Sequence, residues 1–216
     1  GGKAAVRLFL RFLKKYFPGL IQFVKDLLNV SESMIENNII FLKTKNEIVL
    51  EDRENQEWVY LYNYYMAEKN VAESLITLDN YLNVKKISNF EKKLKKIEKH
   101  SDLELSEKQR EAVIAVQEHN VCVITGGPGT GKTTIIKMLV KLFTYENKSI
   151  SLCAPTGRAA KRITETTGEE AKTLHRLLEI GKTADEGIDL NMMVSKINSD
   201  VVIVDEMSMV DTAVMN

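Results

Sequence analysis

The hydrophobic rhythm changes partway along the chain. From Lys3 to about Leu82 apolar positions recur mostly at helical spacing, whereas from Leu105 onward short apolar runs alternate with helical stretches. Near the start, Val6, Phe9, Leu10, Leu13 and Phe17 share one helical face between Lys3, Arg7, Arg11, Lys14 and Lys15. No acidic residue precedes Asp26, a bias shared with organelle-targeting peptides. Serines and a cleavage-like site are missing there, so the pattern predicts a helix with a buried face. Ser31 stands where a helix cap belongs, ahead of Met34, Ile35, Ile39 and Leu42. Ile48-Val49-Leu50 and Glu57-Trp58-Val59-Tyr60-Leu61 then read as two short strands around the polar turn Asp52-Arg53-Glu54-Asn55. Helices followed by a two-stranded wing describe a winged-helix unit, and an ordinary α+β bundle fits the pattern equally.

Residues 85–99 are densely basic. Ile87, Phe90, Leu94 and Ile97 form one apolar stripe and lysines fill most of the rest. A solvated linker helix packing one face is the first reading, and a nucleic-acid contact is the second. The pattern breaks at Ser101-Asp102, which predicts a helical, winged-helix-like region over residues 1–100 and a second domain over 101–216. In that second part Ser106 to Gln109 opens a helix carrying Ala112, Val113 and Val116. Residues 121–124, 149–153 and 201–204 read as strands, and helices are predicted over 132–142, 159–166 and 173–179. Strands expected to be buried on both faces and joined by helices predict an α/β fold with a parallel sheet.

Composition narrows this picture only a little. The 216 residues, 44% apolar and 28% charged, are those of an ordinary globular chain with room for one large or two small domains. Thirty basic residues cancel thirty acidic ones, which excludes a global positive field and leaves room for a local basic stripe. No apolar run reaches the roughly 18 residues of a membrane span. Cys122 and Cys153, both inside apolar stretches, exclude a disulfide scaffold and fit a reducing cytoplasm. The chain begins Gly1-Gly2 without methionine, which leads us to expect a piece of a longer protein.

The chemistry concentrates in Gly126-Gly127-Pro128-Gly129-Thr130-Gly131-Lys132-Thr133, a full G-x-x-x-x-G-K-[ST] with an apolar run before it and a helix after it. Its glycines let successive backbone N–H groups turn toward phosphate oxygens, at the positive end of the following helix. Lys132 is expected to reach the β- and γ-phosphates and the Thr133 hydroxyl to ligate Mg²⁺. About 70 residues on, Asp205-Glu206 ends an apolar run. The first carboxylate suits Mg²⁺, and the second suits orienting and activating a water. With no GTPase-type recognition motif after Glu206, ATP is favoured. Ser106-x-x-Gln109 fits a capping box, and a glutamine just ahead of such a loop can also read an adenine edge; both readings stand.

Taken in order, LSEKQREAV, VITGGPGTGKTT, LCAPTGRAAKRITE, AKTLHRLLE and VVIVDEMSMVD resemble the RecD-like superfamily-one DNA helicases, the exodeoxyribonuclease V alpha chain family. The resemblance covers residues 105–216, and residues 1–100 resemble more loosely the region ahead of the motor in the standalone subclass. It implies a RecA-like P-loop motor lobe that couples ATP and Mg²⁺ to 5′→3′ movement on single-stranded DNA in repair or recombination. Lys132 and Glu206 would be catalytic. Gln109, Gly127, Pro128, Gly129, Thr130, Gly131, Lys132, Thr133 and Thr134 would hold the nucleotide, with Thr133 and Asp205 on the metal. Pro155, Thr156, Gly157, Arg158, Thr173 and His175, with Arg176, match motifs that grip the strand backbone. On residue pattern alone, Arg158, Lys161 and Arg162 read as a solvated helix face. The family's strand-separating pin would fall within residues 180–198.

The chain stops ten residues after Glu206, ahead of the family's next motif and second lobe, so the expectation is an incomplete motor that is inactive alone. In motors of this type the strand after the Asp-Glu strand lies between it and the P-loop strand. Residues 121–124 and 201–204 are therefore each expected to expose an unpaired row of backbone groups. Two other classes fit the residues: a P-loop ATPase acting on protein partners, and an N-terminal DNA- or protein-binding module regulated by ATP.

Overall fold

A computed structural model describes residues 20–53, 56–81, 86–101, 103–180 and 196–216. The helix expected around residues 6–17 and most of the expected pin lie outside the described residues. The chain forms two compact units, one running to Ser74 and the other from Leu75 to Val214. The break read at Ser101-Asp102 falls inside the second unit.

The first unit contains α1 (Leu20–Leu28), α2 (Glu32–Thr44), β1 (Ile48–Arg53), β2 (Gln56–Leu61) and the start of α3 (Tyr62–Asp79). Ser31 is extended, and its hydroxyl accepts from the Met34 N–H at 3.3 Å, satisfying one of the donors that a helix start leaves open. At the far end of α2, Asn46 takes a left-handed φ of 54°, a conformation asparagine tolerates. That turn lets the Glu47 N–H reach back to the Leu42 carbonyl and delivers the chain into β1. The hairpin is antiparallel with Leu50 opposite Val59. Val24, Ile35, Ile39, Leu42, Ile48 and Val59 form its core, so the helical stripe and the strand pair read from the sequence close on each other.

The second unit is α/β and of RecA-like kind. It holds α4 (Phe90–Ser101), α5 (Glu107–Ala115), α6 (Lys132–Tyr145), β3 (Ile150–Ala154), α7 (Gly157–Thr167), β4 (Ala171–Thr173), α8 (Leu174–Leu177) and β5 (Val201–Val204), then a 3-10 turn (Met207–Met209) and α9 (Thr212–Met215). The sheet is parallel with order β4-β3-β5. α6 is its middle layer. Ile135, Met138, Leu139 and Leu142 pack with Leu94, Ile97, Leu105 and Val113 from α4, α5 and the segment between them. Ile136 and Val140 pack with Leu152, Ala154, Ala160 and Ile163 from β3 and α7. The Arg110 guanidinium grips both Glu98 oxygens at 2.7 and 2.8 Å, pinning α5 to α4.

Two expectations need correction. Residues 121–124 form no strand: among the described residues no ladder partner flanks them, and Val123 is 84% exposed. Val121, Cys122 and Ile124 are half-buried, but an apolar run without a neighbouring strand makes no sheet. Thr173, expected to open a helix over 173–179, instead ends β4, and it caps the shorter α8. On the other side of the sheet, β5 pairs with β3 alone among the described residues, and Val202 is 43% exposed.

Candidate active site

The glycine loop is pre-shaped. Gly129 and Gly131 have φ of 74° and 83°, values that residues with a Cβ rarely adopt. A Cβ on Gly126 would sit 2.5 Å from Thr130 Oγ1, and one on Gly131 would strike Gln109 Nε2. Thr130 closes the turn on itself, its hydroxyl donating to the Gly127 carbonyl at 2.9 Å. α6 then starts at Gly131 with no side-chain cap, so its first N–H groups stay available to an anion. Lys132 Nζ donates to the carbonyls of Gly126 (2.6 Å) and Gly127 (3.0 Å). Gly126, left out of the expected nucleotide contacts, therefore joins the site as a holder of this lysine. Thr133 and Thr134 occupy the first turn of α6, partly buried.

Gln109 fulfils the capping reading. Its Oε1 accepts from the Ser106 N–H at 2.9 Å while the Ser106 hydroxyl accepts from the Gln109 N–H at 3.4 Å, completing the capping box. Its Nε2 also donates to the Thr130 carbonyl at 3.0 Å, a tie between α5 and the glycine loop that no local pattern announces. A primary amide offers two donors and two acceptor positions. One of each is used, which leaves one donor and one acceptor position.

The parallel register gathers the other motifs. Thr173 ends β4 opposite Ala154, and Val204 ends β5 opposite Cys153. Pro155-Thr156, Thr173 and Asp205-Glu206 thus leave the sheet at one edge, the carboxyl ends where open α/β sheets bind their ligands. Asp205 extends the ladder by one bond, donating its N–H to the Cys153 carbonyl at 3.0 Å, while its Oδ1 accepts from the Glu206 N–H at 2.9 Å. Glu206 is exposed and left-handed, with φ 55° and ψ 40°. Ile124 and Ile203, each two residues ahead of its motif, both pack on the cluster containing Ile135 and Met138 of α6. The loop's lead-in and the acidic strand end therefore share one neighbour.

Thr156 Oγ1 accepts from the Ala159 N–H at 3.2 Å and caps α7, and Thr173 Oγ1 accepts from the Arg176 N–H at 3.2 Å and caps α8. Gly157, Arg158, His175 and Arg176 are exposed. Lys161 pairs with Glu165 at 3.8 Å on the same helix, as a solvated face would. Among the described residues no three His, Cys, Asp or Glu side chains gather into a metal cage. A hydroxyl such as Thr133 with one carboxylate such as Asp205 is nevertheless the sparse donor set that suits Mg²⁺ completed by phosphates and water. The thiols lie outside this chemistry: burial pushes Cys153 up to about 11, and burial followed by the nearby Asp79 charge raises Cys122.

A family model described as an AAA domain matches residues 109–216. The chain is similar to the ATP-dependent RecD2 DNA helicase of Deinococcus radiodurans, 42% identical over 111 residues, covering 51% of this chain and 15% of that protein. It is also similar to the RecBCD enzyme subunit RecD of two strains of Buchnera aphidicola. One is 34% identical over 181 residues (73% of this chain, 29% of the relative), the other 31% over 223 residues (89% and 35%). The chain thus spans between 15 and 35% of the length of these relatives.

Proposed function

We propose a function from the premise that this chain belongs to the AAA domain family and is RecD-like. It carries the ATP-binding part of a DNA helicase that moves 5′→3′ on single-stranded DNA during repair or recombination, in the cytoplasm. Residues 101–216 supply the ATPase part and residues 1–100 precede it as a helical, winged region. The observation that carries the reading is the start of α6, where an uncapped helix follows a left-handed Gly131 and Lys132 waits on the loop's own carbonyls. When nucleotide enters, the backbone N–H groups from Gly129 to Thr134 meet its phosphates and Lys132 exchanges carbonyls for β/γ oxygens. Thr133 and Asp205 would hold Mg²⁺, which supplies charge neutralisation between the phosphates. Glu206 orients the attacking water, and Gln109 reads the base while keeping Thr130 in place. Thr156, Gly157, Arg158, Thr173 and His175, with Pro155 shaping the turn, contact the strand backbone.

The test is the ATPase rate of the intact protein with and without oligothymidine. A many-fold rise supports the reading. A rate indifferent to single strands, or raised only by a protein partner, would replace the helicase with an ATPase of another class.

A further inference from the structure

The exposed side of α4 places a lysine stripe beside an exposed aromatic ring. Lys92, Lys95, Lys96 and Lys99 recur at helical spacing, opposite the buried Leu94 and Ile97. The nearby carboxylates are committed elsewhere: Glu98 holds Arg110, and Glu146 holds Lys93 at 2.6 Å. Glu91, in the first turn, is the remaining acid on this helix. Among the described residues Lys92, Lys95 and Lys99 enter no ion pair. Lys96 lies against Tyr145 at the end of α6, its Nζ 5.4 Å from the ring centroid and 3.3 Å from the hydroxyl. The Tyr145 residue is 47% exposed. Like charges three and four residues apart oppose helix formation, so this stripe works against its own helix until something anionic meets it.

We propose that α4 and Tyr145 form an accessory site for single-stranded nucleic acid, in which the lysines pair with successive phosphates and the tyrosine ring stacks on a base. From Lys92 to Lys99 the helix rises about 10 Å. That is the reach of about three backbone phosphates at 3.4 Å or more each. An acidic peptide would satisfy the lysines but leave the ring unused, whereas every base offers it a face. The fit is to a backbone rather than a sequence, since lysines on phosphates carry no base information. The site rests on the single-strand reading given above only for its choice of polymer.

The experiment measures oligothymidine binding by the intact protein across a salt series. Lys92→Gln/Lys95→Gln/Lys99→Gln should flatten the salt dependence by about 2 in the log–log slope, three phosphates at about 0.7 each, and the matching arginine triple should restore it. Tyr145→Ala should weaken binding about tenfold with the slope unchanged, while Tyr145→Phe should bind like the parent. Arg158→Gln separates the two sites. If it lowers the slope and the glutamine triple does not, the α4 site is overturned and the groove at the sheet edge stands. If neither does, both fall. Loss of binding to polyglutamate with oligothymidine binding intact would overturn the α4 site in favour of an acidic protein partner. Should the glutamine triple fail to fold, judged by its thermal midpoint, the Tyr145 pair decides.

Discussion

α6 and α7 both begin just after an extended segment, and they begin in opposite ways. α7 leaves β3 through Pro155 and starts beneath a side-chain cap from Thr156, with β3 itself paired on both sides. α6 leaves residues 121–125, which have no ladder partner among the described residues, and starts at a glycine that can offer no cap. Every helix start leaves about four N–H groups unanswered. In α7 the chain answers one itself. In α6 it arranges glycines, a lysine and a threonine around the opening instead. The two starts thus differ in who answers the first turn: α7 closes one N–H with its own side chain, and α6 leaves its N–H groups open.

Lys132→Ala is the change most able to break this comparison. If the opening of α6 is a phosphate site, phosphate release by the intact protein should fall about a hundredfold or more, because no other group in the loop places a positive charge there. Turnover within a few-fold of the parent would make α6 an ordinary helix with a poor start.

The two glycines sharpen it next. Gly131→Ala must hold a Cβ at φ 83° and against Gln109, and should destabilise the chain by about 1–3 kcal/mol in denaturant unfolding while weakening nucleotide binding. Gly157→Ala meets nothing within 4 Å and should change stability by less than about 0.5 kcal/mol. Equal costs at the two positions would erase the distinction. Thr156→Ala should cost about 1 kcal/mol by removing the cap, and Thr156→Ser should keep most of it. Val123→Thr should have the smallest effect, within about 0.5 kcal/mol by the same unfolding measurement, since that side chain is almost wholly in solvent.

The sequence made the loop, its helix, the hairpin and both serine caps legible, because each is written in residues close together in the chain. Ser31 and Ser106 cap the helices they were expected to cap. What stayed hidden depends on distant partners. The apolar run at 121–124 states a wish for burial, and no local pattern says whether a neighbouring strand is there to grant it. β4 is three residues long, too short for any periodicity, and is made a strand by its register with Leu152, Cys153 and Ala154. The Gln109–Thr130 bond crosses 21 residues of chain, so the capping box was visible and the tie to the loop was not. The position of α4 against α6 was likewise settled by packing of Leu94 and Ile97, not by the composition break that follows it.

Glu206 holds a left-handed backbone that costs a residue with a side chain on the order of 1–2 kcal/mol, and that glycine adopts freely. In a mutant library sorted by heat resistance or expression yield, Glu206→Gly and Glu206→Asn should therefore rise as winners. Each would be sturdier and would have discarded the carboxylate assigned to the attacking water. If the proposed role holds, selection for robustness alone would discard that carboxylate, and only a sort that scores turnover keeps the strained residue in the population.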